Sequence, residues 1–304
     1  MQFAILGGGT VGACYMQALL EQGHSLVGLC DLQPSAAVVQ AVQTAGGQVH
    51  TAPGAWLAGA DVVVSAVFGT VARSLFEASL PHLKEGAVYV DMTTADPQEM
   101  RACGELAQRG VEGREGREGR EGREGRVVHF VDVAITGAVN LGGRKTPLLV
   151  AGSKAGFVQE LFLPFGGSVR VVGTQPGDAA ALKLLRSIYT KGMEALAVEC
   201  LVTAEQMGLR EPLYAVLQDI DETPLRTLME SMVRTHIPHS VRRRNEVAEA
   251  QQQMLRNGLA PMVSPAVEAL FSATAQAQAT QPFTGTTTDE AIAWLGTHVL
   301  ASRP

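Results

Sequence analysis

The chain has 304 residues, a length suited to two domains that can each bury a full core. Apolar residues make up 46% and charged residues 18%, which excludes a disordered chain, and four cysteines are too few for a disulfide scaffold. With 24 basic against 30 acidic residues the net charge is −6, which offers no attraction to nucleic acid or to an anionic membrane surface, so neither is expected as a partner.

The N-terminus runs Met1-Gln2-Phe3-Ala4-Ile5-Leu6 into glycines without a basic flank or cleavage site, and no apolar run reaches the ~18 residues of a membrane span. Neither export nor anchoring is expected. Cys14, Cys30, Cys103 and Cys200 share no C-x-x-C spacing, which argues against a zinc knuckle or dithiol motif and suits a reducing cytoplasm.

Taken in order, Phe3 to Leu6, Ser25 to Cys30, Asp61 to Ala66, Ala87 to Asp91, Val127 to Asp132 and Pro147 to Ala151 read as strands, being rich in Val, Ile, Leu and Ala between Gly, Asp or Pro. Helical periodicity falls between them, at Val11 to Gln22, Ser35 to Ala45, Val71 to His82 and Asp96 to Gln108. The alternation implies an α/β domain, a doubly wound parallel sheet with helices on both faces, over residues 1–174. Glu112 to Arg126 is the triplet Glu-Gly-Arg repeated five times, and glycine at every third position costs a helix ~1 kcal/mol each, so the 112–126 segment reads as a low-complexity loop. Beyond Gly173 strand-like runs vanish. Asp178 to Met207 reads as one long helix leaving the first domain, with further helices at Arg243 to Arg256, Pro261 to Ala277 and Asp289 to Leu300. Residues 175–304 are therefore expected to form an all-helical domain.

Gly7-Gly8-Gly9-Thr10-Val11-Gly12 contains G-x-G-x-x-G directly after the first strand, with Thr10 and Val11 opening the first helix. In that context Gly7 permits the tight turn, Gly9 lets backbone approach a pyrophosphate, Gly12 allows close helix-to-strand packing, and the helix start offers N–H groups to the anion. Asp31 ends the second strand 19 residues after Gly12, where a carboxylate hydrogen-bonds the adenosine ribose. A carboxylate there repels a 2′-phosphate, and Leu32-Gln33-Pro34 offers no arginine, so NAD is expected rather than NADP, without NADP being excluded.

Lys183 lies in an apolar stretch at the expected domain junction. On a helix Ser187 and Lys191 sit ~40° and ~80° around the axis from it. Burial and a neighbouring cation both disfavour a charged amine, so Lys183 reads either as a general acid or base or as a lysine snorkelling from a packed helix. Arg242, Arg243 and Arg244 spread over ~200° of a helix and read as a solvated start. Glu246 and Arg244 are pocket candidates from their position in the helical half. His236 and His239 lack a third ligand, so no metal is expected.

With these segments, together with Asp91-Met92-Thr93-Thr94-Ala95-Asp96-Pro97 and Asp132-Val133-Ala134-Ile135-Thr136-Gly137, the chain resembles the β-hydroxyacid dehydrogenases, relatives of 6-phosphogluconate dehydrogenase. The resemblance spans nearly everything but the Glu-Gly-Arg repeat, and the helical half looks like that of a phosphogluconate-dehydrogenase-like subgroup with poorly defined substrates. It implies a Rossmann domain, Lys183 as the catalytic lysine that shuttles the hydroxyl proton, Thr136 and Gly137 holding the substrate carboxylate, and Ala66, Val67, Phe68 and Thr94 flanking the nicotinamide half of the cofactor. Two positions depart from the family. Ser187 stands where asparagine is usual, so the polar partner of the substrate hydroxyl is expected to be Ser187 itself, Lys191 or a water. Thr190 stands where decarboxylating enzymes carry glutamate, so 6-phosphogluconate decarboxylation is not expected. The resemblance implies hydride transfer between a dinucleotide and a small 3-hydroxy acid, and a homodimer or higher homo-oligomer through the helical half. The rival readings are an imine reductase-like NADPH enzyme, against which retention of Lys183 argues, and a non-catalytic dinucleotide-binding protein.

Overall fold

A computed structural model describes residues 1–93, 95–109 and 127–302 of the chain. Thr94 and the Glu-Gly-Arg repeat at 112–126 lie outside the described residues. The chain divides into two compact units, Met1–Ser187 and Ile188–Pro304, the division falling inside a single long helix.

In the first unit, strands β1 (Gln2–Leu6), β2 (Ser25–Cys30), β3 (Gln48–His50), β4 (Val62–Ser65), β5 (Val88–Asp91) and β6 (His129–Ile135) alternate with helices α1 (Thr10–Glu21), α2 (Ala36–Thr44), α3 (Ala72–Ser79) and α4 (Pro97–Arg109). After the short helix α5 (Val139–Gly142) come β7 (Leu148–Ala151), α6 (Ala155–Phe162), β8 (Val169–Gly173) and the start of α7 (Asp178–Gln206). The eight strands form one sheet in the order β3-β2-β1-β4-β5-β6-β7-β8. Six of the seven pairings are parallel. The expectation of a wholly parallel sheet needs correction at one place: β7 pairs antiparallel with β6, and β8 then runs parallel to β7. The link from Ile135 to Leu148 holds only α5 and one 3-10 turn, Gly143–Lys145, and that is too short for the crossover a parallel neighbour requires. Strand β8 and helix α6 were not anticipated, nor was β3.

Both faces of the sheet are buried, as successive side chains require. Phe3, Ile5, Val62, Val64, Val88 and Val90 join α1, α2 and α6 in one core. Ala4, Leu6, Val63, Tyr89 and Phe130 join α3 and α4 in the other. There Phe76 of α3 packs edge-on against Tyr89 and Phe130, with centroids 4.8 and 4.9 Å away. Ser35 caps α2 by accepting the Val38 N–H at 3.3 Å.

Among the described residues the second unit contains helices alone: the rest of α7, then α8 (Arg210–Val216), α9 (Gln218–Asp221), α10 (Leu225–His236), α11 (Ser240–Arg256), α12 (Ser264–Thr280) and α13 (Thr288–His298). Of these, α8, α9 and α10 had no counterpart in the sequence reading. A capping box starts α13, the Thr287 hydroxyl accepting the Glu290 N–H while Glu290 accepts from Thr287. His236 shares a 2.9 Å hydrogen bond with Thr274 and stacks on Phe271. Arg242 pairs with Glu246, and Arg244 bonds Asn245. No described helix is long and apolar enough to cross a membrane, and no three His, Cys, Asp or Glu among the described residues are grouped to hold a metal ion.

Candidate active site

The glycine turn after β1 is built by contacts that only glycine allows. Gly7 has φ +96°, and a Cβ there would lie 2.6 Å from the Ala66 carbonyl oxygen. At Gly12 a Cβ would fall 1.8 Å from the Gly7 oxygen, so its absence lets α1 start directly against β1. Gly9 differs from both, because a Cβ there would meet no protein atom within 4 Å. Its backbone opens onto empty space at the start of α1, where no side chain caps the helix and no acidic residue occupies the first turn. An uncapped helix start with bare backbone before it fits the diphosphate of a dinucleotide. Asp31, at the end of β2, accepts from the Gly8 N–H at 2.6 Å and from the Gln33 N–H at 2.8 Å. Its carboxylate is thereby fixed beside the turn.

A cavity of about 460 Å³ adjoins this turn at the carboxyl ends of the parallel strands. Thr10 and Val11 of α1 line it together with Ala66 and Val67 after β4, and Met92 and Thr93 after β5. Ile135, Gly137, Val139 and Asn140 close it beyond β6, and Lys183 enters from α7. Gly137 is confined by Thr146, whose Cγ2 would lie 2.9 Å from an added Cβ.

Three titratable groups stand at or beneath the cavity. Lys183 is half-buried, and burial lowers its ammonium pKa while the charge of Asp132 acts to raise it. Asp91 and Asp132 are neighbours in the β5–β6 register, and both are fully buried. Burial pushes Asp91 up to about 6, against the Thr93 hydroxyl and N–H that donate to it at 2.6 and 2.9 Å. Burial also raises Asp132, against the N–H groups of Ala180 and Gly177 that donate to its Oδ2 at 2.9 and 3.0 Å.

Of the residues singled out in the sequence, Thr10, Val11, Ala66, Val67, Gly137 and Lys183 meet in this one cavity. Phe68 lies 85% exposed and is not part of the lining. Thr136 turns both its N–H and its hydroxyl to the Pro147 carbonyl, at 2.9 and 3.0 Å. The Ser187 hydroxyl donates to the Lys183 carbonyl at 2.9 Å, along its own helix. Lys191 lies in the second unit, its amine 2.7 Å from Glu194. Thr94 falls outside the described residues. The lining residues that sequence reasoning missed are Met92, Thr93, Ile135, Val139 and Asn140. Met92, Thr93 and Ile135 lie in the segments that carry the family resemblance. Val139 and Asn140 ride on α5, too short to leave a periodic signal.

A second cavity, of about 440 Å³, lies within the helical unit among Leu196, Cys200, Met207, Leu213, Val216 and Met254. Its acidic group, Glu199, is already engaged: although burial acts to raise it, the N–H groups of Val263, Met262 and Ser264 bring it to about 2 and fix the start of α12. Mainly apolar walls, with Glu199 already engaged, make it the poorer candidate for chemistry.

Residues 2–113 match the NAD binding domain of 6-phosphogluconate dehydrogenase, and residues 204–279 match a domain of unknown function, DUF1932. An uncharacterised 28.5 kDa protein of Methanothermus fervidus is 31% identical over 142 residues, 47% of this chain. The chain covers 55% of that relative's length. A conserved protein of unknown function, described as structurally similar to 3-hydroxyacid dehydrogenases, is 26% identical with a TM-score of 0.59, over 92% of this chain and 98% of the other. An imine reductase from Bacillus cereus BAG3X2 superposes with a TM-score of 0.73 over 97% and 99% of the two chains, and its 13% identity marks a shared fold.

Proposed function

Because the chain joins a 6-phosphogluconate dehydrogenase-type NAD binding domain to a DUF1932 domain, we propose that it is an NAD-dependent dehydrogenase of small 3-hydroxy acids, with Lys183 as the proton-transferring group. One observation carries the reading: the Lys183 side chain enters the same cavity as the glycine-turn residues Thr10 and Val11. In this reading residues 1–174 hold the cofactor and residues 175–304 serve the substrate and self-association.

A bound dinucleotide supplies the hydride acceptor. The backbone N–H groups at the start of α1 hold its diphosphate, and Asp31 takes the adenosine ribose hydroxyls, which disfavours a 2′-phosphate. The Gly137 N–H and the Asn140 amide receive the substrate carboxylate, and Thr136 shapes the turn through its two bonds to Pro147. Lys183 Nζ, its neutral form favoured by burial, accepts the hydroxyl proton as the carbinol C–H bond breaks and the C=O bond forms. Such a base contributes ~10²- to 10⁴-fold in rate. In the reverse direction the same nitrogen returns the proton to the carbonyl oxygen.

The exposed apolar side chains of Ile188, Met193, Val198 and Val202 on the second unit's part of α7 support self-association through the helical half. Light scattering is expected to show a dimer or larger species.

The enzyme reading is tested by screening 3-hydroxy acids for nucleotide reduction with NAD and NADP in parallel. With an active substrate in hand, Lys183→Ala is expected to abolish most of kcat while nucleotide binding survives. Turnover retained by that variant would remove the lysine from the mechanism.

A further inference from the structure

Helix α7 begins on top of a buried charge. Asp132, in the middle of β6, is fully buried, and its Oδ2 receives the N–H groups of Gly177 and Ala180 at 3.0 and 2.9 Å. Gly177 is held there by a φ of +95° and by backbone, for a Cβ would lie 2.4 Å from the Pro97 oxygen. Lys183 follows Ala180 by three residues, just under one helical turn along. The strand therefore grips the helix immediately before the amine that enters the cavity.

We propose that Asp132 is the positioning residue for Lys183: it fixes the first turn of α7 on the sheet and presents a negative charge to the amine. The inference rests on the reading of Lys183 as the proton-transferring group.

The chemistry of the cap supports this assignment. Serine, threonine, asparagine and aspartate all satisfy a helix start, and of these only aspartate carries a charge into the core. Burying a carboxylate costs far more than burying a hydroxyl or amide, and is sustained where the charge is hydrogen-bonded or paired. Only half of this carboxylate serves the helix. Among the described residues Oδ1 has no hydrogen-bond partner, although it is as buried as Oδ2. The Asp132 charge reaches the Lys183 ammonium and opposes the effect of burial on it. Other charges nearby act elsewhere. Asp91 on β5 lies in the field of Asp132, and Asp178 on the first turn of α7 acts on Asp132 while standing 3.7 Å from Arg101 of α4.

Asp132→Asn separates the two roles, since its amide oxygen still accepts from Gly177 and Ala180 but the charge is gone. The readout is the acylation rate of Lys183 by a water-soluble active ester across pH, followed by peptide mass spectrometry on the full-length protein. A neutral amine reacts and an ammonium does not, so loss of the charge is expected to raise the Lys183 rate at pH 7 several-fold relative to the exposed Lys191, with the melting temperature and NAD affinity near those of the parent. In turnover, the acid limb of the kcat profile is expected to move to lower pH. Should the Asn protein fail to fold, Asp132→Ser offers an uncharged oxygen to the same helix start and is read the same way. An unchanged Lys183 pH–rate curve in the folded variant would overturn the inference and leave the dehydrogenase reading untouched. Turnover surviving Lys183→Ala would do the reverse, because the labelling result does not depend on activity.

Discussion

Two glycines three residues apart should fail in opposite ways. At Gly12 an added methyl would fall 1.8 Å from the Gly7 oxygen, 3.0 Å from the Gly7 carbonyl carbon and 3.3 Å from Ile5 Cγ2. Two of these neighbours are main chain, so α1 must move off the sheet. Overpacking of this kind costs about 1–3 kcal/mol, and the better helix propensity of alanine returns about 1. Gly12→Ala is therefore expected to lose about 2 kcal/mol of stability, the severity of the contact favouring the upper end of the range. Gly9, at φ −69° and ψ −170°, already occupies a region open to alanine, with no atom within 4 Å of the new methyl. A smaller unfolded-state entropy and a poorer helix cap offset each other, leaving a change within about 1 kcal/mol. If the diphosphate rests on this backbone, the methyl stands in its place. Losing one hydrogen bond to a charged group costs about 1.5–3 kcal/mol, or on the order of 10- to 100-fold in Kd. Urea unfolding without nucleotide measures the first quantity, and titration calorimetry with NAD the second. A Gly9→Ala protein that binds NAD within about twofold of the parent would show that the nucleotide does not rest on the turn.

Asp31→Asn keeps the oxygen that accepts from the Gly8 N–H while removing the charge, so the affinity for NADP relative to NAD is expected to rise, and an unchanged ratio in paired titrations would count against Asp31 as the selecting group. Asp91, raised to about 6 by burial, binds its proton more tightly folded than unfolded, so it destabilises the fold as pH climbs from about 4 to about 6, by up to about 3 kcal/mol, and no further above that. Asp91→Asn should remove this loss, and urea midpoints of parent and variant should therefore diverge between pH 4 and pH 8; midpoints that keep a constant separation would contradict it. Phe76→Ala removes the ring shared by Tyr89 and Phe130 and is expected to cost about 3–5 kcal/mol by chemical denaturation.

The first β-turn-α-β unit was legible because its pattern is contiguous: Gly12 is demanded by Gly7 and Ile5 a few residues away, Gly7 sits at the turn between strand and helix although the atom that forbids a Cβ there is the distant Ala66 oxygen, and Asp31 closes the strand that follows. What escaped the sequence lies where neighbours decide. The missed strands, Gln48–His50 and Val169–Gly173, are the two edges of the sheet, paired with a neighbour on one side only and partly exposed, and they lack a continuous apolar run. The reversal of β7 had a readable cause in the short link after Ile135, which periodicity alone does not weigh. At the site, Lys183 stood out by type and context, and Gly137 through the family resemblance. Asn140 did not, because a polar residue on a four-residue helix has no periodic pattern to mark it. The directions taken by the Thr136 and Ser187 hydroxyls, toward Pro147 and along α7, are rotamer choices that no spacing encodes. Asp132 lies in a segment that carries the family resemblance, yet its grip on a helix 45 residues later in the chain is visible only in three dimensions.

The grip of β6 on α7 turns the stretch from Ala180 to Lys183 into a ruler. One residue removed from it would swing the amine by about 100° and withdraw it by about 1.5 Å, out of phase with its cavity. Between Gly173 and Gly177 no such measure applies, since that stretch ends before the anchor. Length variation among relatives should therefore collect upstream of Gly177 and be absent across the following turn.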